Sequence, residues 1–200
     1  SFFNLANPRA SRDNILQGSA DLFYLVKMLR ANSLNVAGQN VVFNSSKVSF
    51  FGHSQGTVIA PAFLAAETEI EAAILSGVGS ELALSILYKK APIDVSQIAA
   101  QFFGDQGIAR LHPVLGIFAS LYAPSDSISY APSLLLGDNG SPAYHVMMTS
   151  GLSDSYTPDI THGAFMRSSG IPLVGEVSEA VNGVAEVGNN QNANIGGKTV

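Results

Sequence analysis

The chain has no cysteine, few charges and no long apolar run, and each shortage closes off a class of function. Without a cysteine among 200 residues, disulfides, thiolate metal sites and cysteine nucleophiles are excluded, while the redox compartment is left open. Charged residues make up 12% of the chain, against about 25% in an ordinary soluble domain. The net charge is −5, and no basic cluster exceeds the pair Lys89-Lys90, so no nucleic-acid partner is expected. No apolar stretch approaches the roughly 20 residues of a membrane helix, which argues against an integral membrane segment. No signal peptide is visible and the first residue is Ser1, not Met, so removal of an upstream piece is expected. What the chain does have is apolar material: 46% of its residues are hydrophobic, enough for a large core and an apolar cavity.

Hydrophobic periodicity places the elements. Ile15, Leu22, Val26 and Leu29 form one stripe, which predicts a helix over 13–31 started by Asp13 or Asn14. Residues 32–40 read as polar and turn-like. Short apolar strands are expected at 47–51, 72–75 and 144–149, and a helix at 55–66 carries Pro61 inside it. Helices at 81–88, 93–103 and 114–122 follow one another with no strand between them. This stretch, residues 80–135, reads as a helical insertion, and Leu111, Leu115, Phe118, Leu121 and Tyr122 are expected to give it apolar exposed faces. A short helix is expected from Thr161 to Ser169. The Asn- and Gly-rich tail has no period and reads as loop or weak edge strand. Strands alternating with helices predict a parallel sheet in an α/β fold.

The stretch Gly52-His53-Ser54-Gln55-Gly56 fits the G-x-S-x-G nucleophile elbow, with an apolar strand before it and a helix after it. A serine on so sharp a turn is forced into a strained backbone conformation, and the positions two residues away on either side are expected to be too crowded for side chains. The turn lifts the Ser54 hydroxyl above the sheet. It also aims the Gln55 backbone N–H, at the positive end of a helix, at a developing oxyanion. A nucleophilic serine needs a base, and the base needs a carboxylate, which follows the nucleophile in chain order. Asp154, in the loop GLSDSYTPD after the third strand, is the expected acid, against the plainer reading of an Asx-turn. Asp159 is the nearest competitor but sits where helix capping is the default; Asp126 and Asp138 are poorer candidates. Of four histidines, His53 lies inside the elbow, His112 at a helix start and His145 on a strand. His162 stands best in order and proximity to Asp154 but leaves little room for a separate base loop.

Through GHSQG and the GLSDSYTP loop, the chain resembles the α/β-hydrolase superfamily over about residues 10–170. The run NLANPRASRDNILQGSADLFYLVKML is similar to the helix before the elbow in large bacterial extracellular esterases and lipases. The resemblance implies an α/β-hydrolase fold with a helical lid, divided as 1–79 (core with elbow), 80–135 (lid) and 136–200 (core with acid loop and polar tail). It implies Ser54 as nucleophile, Gln55 as oxyanion donor, Asp154 as triad acid, and hydrolysis of hydrophobic esters or lipids; a thioesterase, amidase or polyester depolymerase, or a catalytically incomplete binding module of the same fold, stands as the alternative. No cofactor and no metal are expected. In the family the elbow follows the fifth strand and an upstream loop gives the second oxyanion donor. Only 53 residues precede Ser54, no such loop is found, and the family's late histidine has no counterpart. The chain is therefore expected to be a central fragment, partnered by the remaining pieces of the same polypeptide. A secreted or envelope location in a bacterium follows from the resemblance alone.

Overall fold

The computed structural model describes residues 2–4, 6–31, 33–136, 144–189, 192, 194 and 197–200. The first helix, α1 (Pro8–Arg30), begins earlier than its apolar stripe indicates. The Asn7 side chain accepts from Ala10 N at 3.1 Å, and Pro8 occupies the first helical position, where a missing N–H costs nothing. Ile15 and Val26 are buried, as the stripe predicts. The residues that follow, expected as a turn, form a hairpin of β1 (Ser33–Val36) and β2 (Gln39–Val42). Ala37 and Gly38 both have positive φ, 50° and 82°, which closes the two-residue turn. Both strands are largely exposed on either face, so the sequence carries no alternation to betray them.

Three parallel strands make the central sheet: β3 (Ser49–His53), β4 (Ala72–Ser76) and β5 (His145–Thr149), in the order β3-β4-β5. α2 (Gln55–Leu64) follows β3 directly and continues past Pro61. The insertion holds α3 (Leu82–Tyr88), α4 (Val95–Phe103) and α5 (Pro113–Tyr122). A single 3₁₀ turn, Ser127–Ser129, leads into α6 (Ala131–Leu136). After β5 come α7 (Asp159–Ser169) and the short parallel pair β6 (Leu173–Val174) and β7 (Glu186–Val187). This is a mixed α/β arrangement around a three-stranded parallel sheet, the class expected from the alternating strands and helices. Among the described residues no helix is long and apolar enough to cross a membrane.

Two apolar clusters organise the packing. One joins Ala73, Leu75 and Val146 of the sheet to Phe63 and Leu64 of α2, Leu134 and Leu135 of α6, and Phe165 of α7. The other joins Ile15 and Val58 to the insertion through Ile86, Val95, Leu115, Phe118 and Tyr122. Of the five residues expected on exposed apolar faces, Leu115, Phe118 and Tyr122 are instead buried and Leu121 is half-buried, while Leu111 is exposed; Ile93, Phe102 and Ile117 are exposed apolar side chains of the same insertion. α5 spends its apolar side on α1 and α3, so periodicity located the face but not its partner.

Among the described residues one face of the sheet is left largely uncovered. Phe51, Ile74 and Met147 stand in register across the three strands and are 67%, 36% and 53% exposed. Parallel sheets ordinarily bury both faces.

Candidate active site

The elbow is where β3 turns into α2. Ser54 has φ 50° and ψ −113°, a conformation that costs a non-glycine residue about 1–3 kcal/mol. Its N–H donates to Ser76 O at 2.9 Å, which pins the turn to the end of β4. Ser54 occupies the N-cap position of α2, yet its side chain caps nothing, so the hydroxyl is left for other work. Crowding at the flanking glycines differs from expectation. A Cβ on Gly52 would lie 3.2 Å from Gly56 O and 2.7 Å from the Phe50 ring, whereas one on Gly56 would meet nothing within 4 Å among the described residues. Gly52 is needed for close approach; nothing in the structure accounts for Gly56.

Thr57, a residue the motif reading passed over, holds the elbow from behind. Fully buried, its Oγ1 lies 2.6 Å from Ser54 O and 3.1 Å from Gly77 O, and accepts from Gly79 N at 3.1 Å. Gly77, at φ 62°, in turn abuts the acid loop. A Cβ there would lie 3.3 Å from Thr157 Oγ1 and 3.8 Å from Asp154 Oδ2. The elbow after β3, the turn after β4 and the loop after β5 therefore meet along the C-terminal edge of the sheet, where open α/β sheets place their ligands.

Asp154 is held by its own loop. Oδ1 accepts from Tyr156 N at 2.7 Å and Thr157 N at 3.0 Å, and Oδ2 accepts from Thr157 Oγ1 at 2.7 Å. The Asx-turn weighed against the catalytic role is thus present, and it leaves one acceptor position on Oδ2 of the four a carboxylate offers. Burial pushes the Asp154 carboxyl up, but the Thr157 side chain, the two backbone N–H donors and the field of His162 outweigh it, so it lies below the ordinary value. Asp159 opens α7 and accepts from Ser153 N at 3.0 Å and Asp154 N at 3.2 Å. It braces a loop in which Ser153 has φ 57°. Asp126 is buried in the insertion, accepting from Leu82 N at 2.7 Å and Ile128 N at 3.3 Å; burial raises its carboxyl despite these donors. Asp138 lies outside the described residues.

The histidines separate clearly. His53 is exposed beside Ser76 Oγ at 3.2 Å. His112 caps α5, accepting from Val114 N at 3.2 Å and pairing with Asp105 at 3.1 Å. His145 accepts from Thr199 N at 3.0 Å. His162 is 2% exposed; its Nδ1 lies 2.5 Å from Ser150 Oγ, and its buried Nε2 has no hydrogen-bond partner among the described residues. Burial lowers its pKa below 6.5, opposed by the charges of Asp154 and Asp159. It lines a cavity of about 840 Å³ between β5, α7 and residues 171–182.

Ser54 opens onto a different cavity, of about 390 Å³, shared with Gln55 and with Tyr156 and Thr157 of the acid loop. Its far wall comes from the insertion: Leu82, Ile86, Ile93 and Val95. The size is that of a small-molecule site. Among the described residues no group of three or more His, Cys, Asp or Glu side chains is placed to hold a metal ion.

No family model and no curated protein matches the chain. Among solved structures it is similar to a puromycin-hydrolysing peptidase of Mycobacterium tuberculosis, with a TM-score of 0.48 and 16% identity over 86% of this chain and 21% of that one. The chain thus spans about a fifth of that protein's length.

Proposed function

We propose that the chain carries the nucleophile and acid of a serine hydrolase that cleaves hydrophobic carboxylic esters through an acyl-enzyme. The observation that carries this reading is the strained backbone of Ser54 at a strand-to-helix turn, its hydroxyl uncapped and open to a mainly apolar cavity. Ser54 Oγ attacks the ester carbonyl as an imidazole takes its proton. The oxyanion is held by Gln55 N–H at the start of α2, an interaction whose loss raises such barriers by about 3–4 kcal/mol. Asp154 fixes the imidazole's tautomer and stabilises its cation. Collapse expels the alcohol with the returned proton, and water then releases the acid. The insertion serves as the lid, its apolar residues favouring an acyl chain over a peptide.

His162 is not the base in this reading, because it lines the other cavity and spends Nδ1 on Ser150. The imidazole is taken to come from elsewhere in the polypeptide. The full-length protein should hydrolyse p-nitrophenyl butyrate, and Ser54→Ala should reduce kcat by several orders of magnitude; equal rates in the two proteins contradict the reading. A second reading, a hydrolase-fold binding module without chemistry, is favoured by the lack of a histidine in the Ser54 cavity among the described residues. It predicts no turnover by either protein.

A further inference from the structure

One side chain in the Ser54 cavity does not suit an apolar ester. Lys89, at the end of α3, is half-buried there, and among the described residues it is the single charged side chain lining the cavity. Its Nζ donates to Tyr156 O and lies 5.7 Å from the centre of the Tyr156 ring. Among the described residues no carboxylate stands within ion-pair distance of it, although Lys90 beside it pairs with Asp94 at 2.9 Å. An ammonium has three donors, so two remain. Asp154 contributes field but not contact, since three of its four acceptor positions are taken by its own loop and it does not line the cavity. Burial lowers the Lys89 pKa, with Asp154 opposing, so the cation is incompletely compensated where it stands.

We propose that Lys89 determines specificity: the cavity takes esters that also carry a carboxylate, whose charge pairs with Lys89 Nζ while the scissile carbonyl sits at Ser54. The anion is a carboxylate and not a phosphate, because a lone ammonium in an apolar wall lacks the several convergent donors that phosphate sites present. Val58, Ile86 and Ile93 supply the apolar stretch between the two polar ends. This specificity rests on the ester-hydrolase reading, but the anion site is testable apart from it.

The experiment is calorimetric titration of the chain with hexanoate and with hexanamide, its neutral counterpart. Wild type should bind hexanoate about tenfold more tightly, a ratio reasonable for a partly desolvated charge pair. Lys89→Met and Lys89→Gln should bind the two probes alike, and Lys89→Arg should keep the preference. Undetectable hexanoate binding, equal affinities in wild type, or a preference that survives both neutral variants would overturn the proposal and leave Lys89 as a fastening for the acid loop. Fluorophosphonate labelling of the full-length protein, wild type and the same Lys89 variants, reads the other question. A Lys89-dependent preference without a Ser54 adduct would refute the hydrolase reading and keep the anion site.

Discussion

At Ser54 the backbone stores energy that only a glycine could release. With φ at 50° and ψ at −113°, Ser54→Gly should raise unfolding stability by about 1 kcal/mol, read by urea denaturation, while removing the nucleophile. A loss of stability would mean that the turn is not strained. His162 gives a second residue-scale test. Its folded pKa lies below 6.5, so the unfolded chain binds the proton first as pH falls. The stability owed to the neutral ring is complete above about pH 6.5 and is lost as pH falls below it toward the folded value. Thermal midpoints should therefore drop between about pH 7.5 and 5.5, and His162→Gln should flatten that slope. An unchanged slope would place the titration elsewhere. Residue identity was legible in part. Ser54, Gln55 and Asp154 stand in a recognisable motif and loop, and the structure gathers them along one sheet edge. Asp159 was legible as a candidate but not as the brace of the Asp154 loop, and the contacts of Thr57 and Lys89 were not legible, because they depend on loop closure or on partners 20 or more positions away, which no local pattern encodes.

At the scale of elements, the elbow works as a joint of three connections. Thr57 links the start of α2 to the turn after β4 through Gly77 O and Gly79 N. Thr57→Val keeps the shape but leaves Gly79 N without its acceptor, so about 1–3 kcal/mol of stability should be lost in urea unfolding; a neutral result would show that the connection is dispensable. Strands and helices with a buried side were readable from their periodicity: α1, α2, α7 and all three sheet strands fall near their expected places. Starts were less so, since Asn7 and Pro8 cap α1 outside its apolar stripe. The β1–β2 hairpin escaped because a strand exposed on both faces has no alternation. The helices of the insertion were legible, but burial of Leu115, Phe118 and Tyr122 against Ile15 and Val58 depends on a docking across the chain.

For the whole molecule, the open sheet face is the leading physical fact. The row Phe51, Ile74 and Met147 is the kind of contiguous apolar surface that drives association. The chain should self-associate as concentration rises, and the pair Phe51→Lys with Met147→Lys should lower its sedimentation-average mass with stability changed by no more than about 0.5 kcal/mol. A chain that is monomeric throughout would contradict this. The α/β class was readable from alternating strands and helices; which face stayed bare was not, since each strand is apolar on both sides. The central claim, that Ser54 is an activated nucleophile facing an ester cavity, is tested most directly by peptide mapping after fluorophosphonate treatment of the full-length protein. The account predicts an adduct on Ser54 that Ser54→Ala abolishes and that denaturation before treatment prevents. Recovery of the Ser54 peptide unmodified from native, folded protein would contradict it.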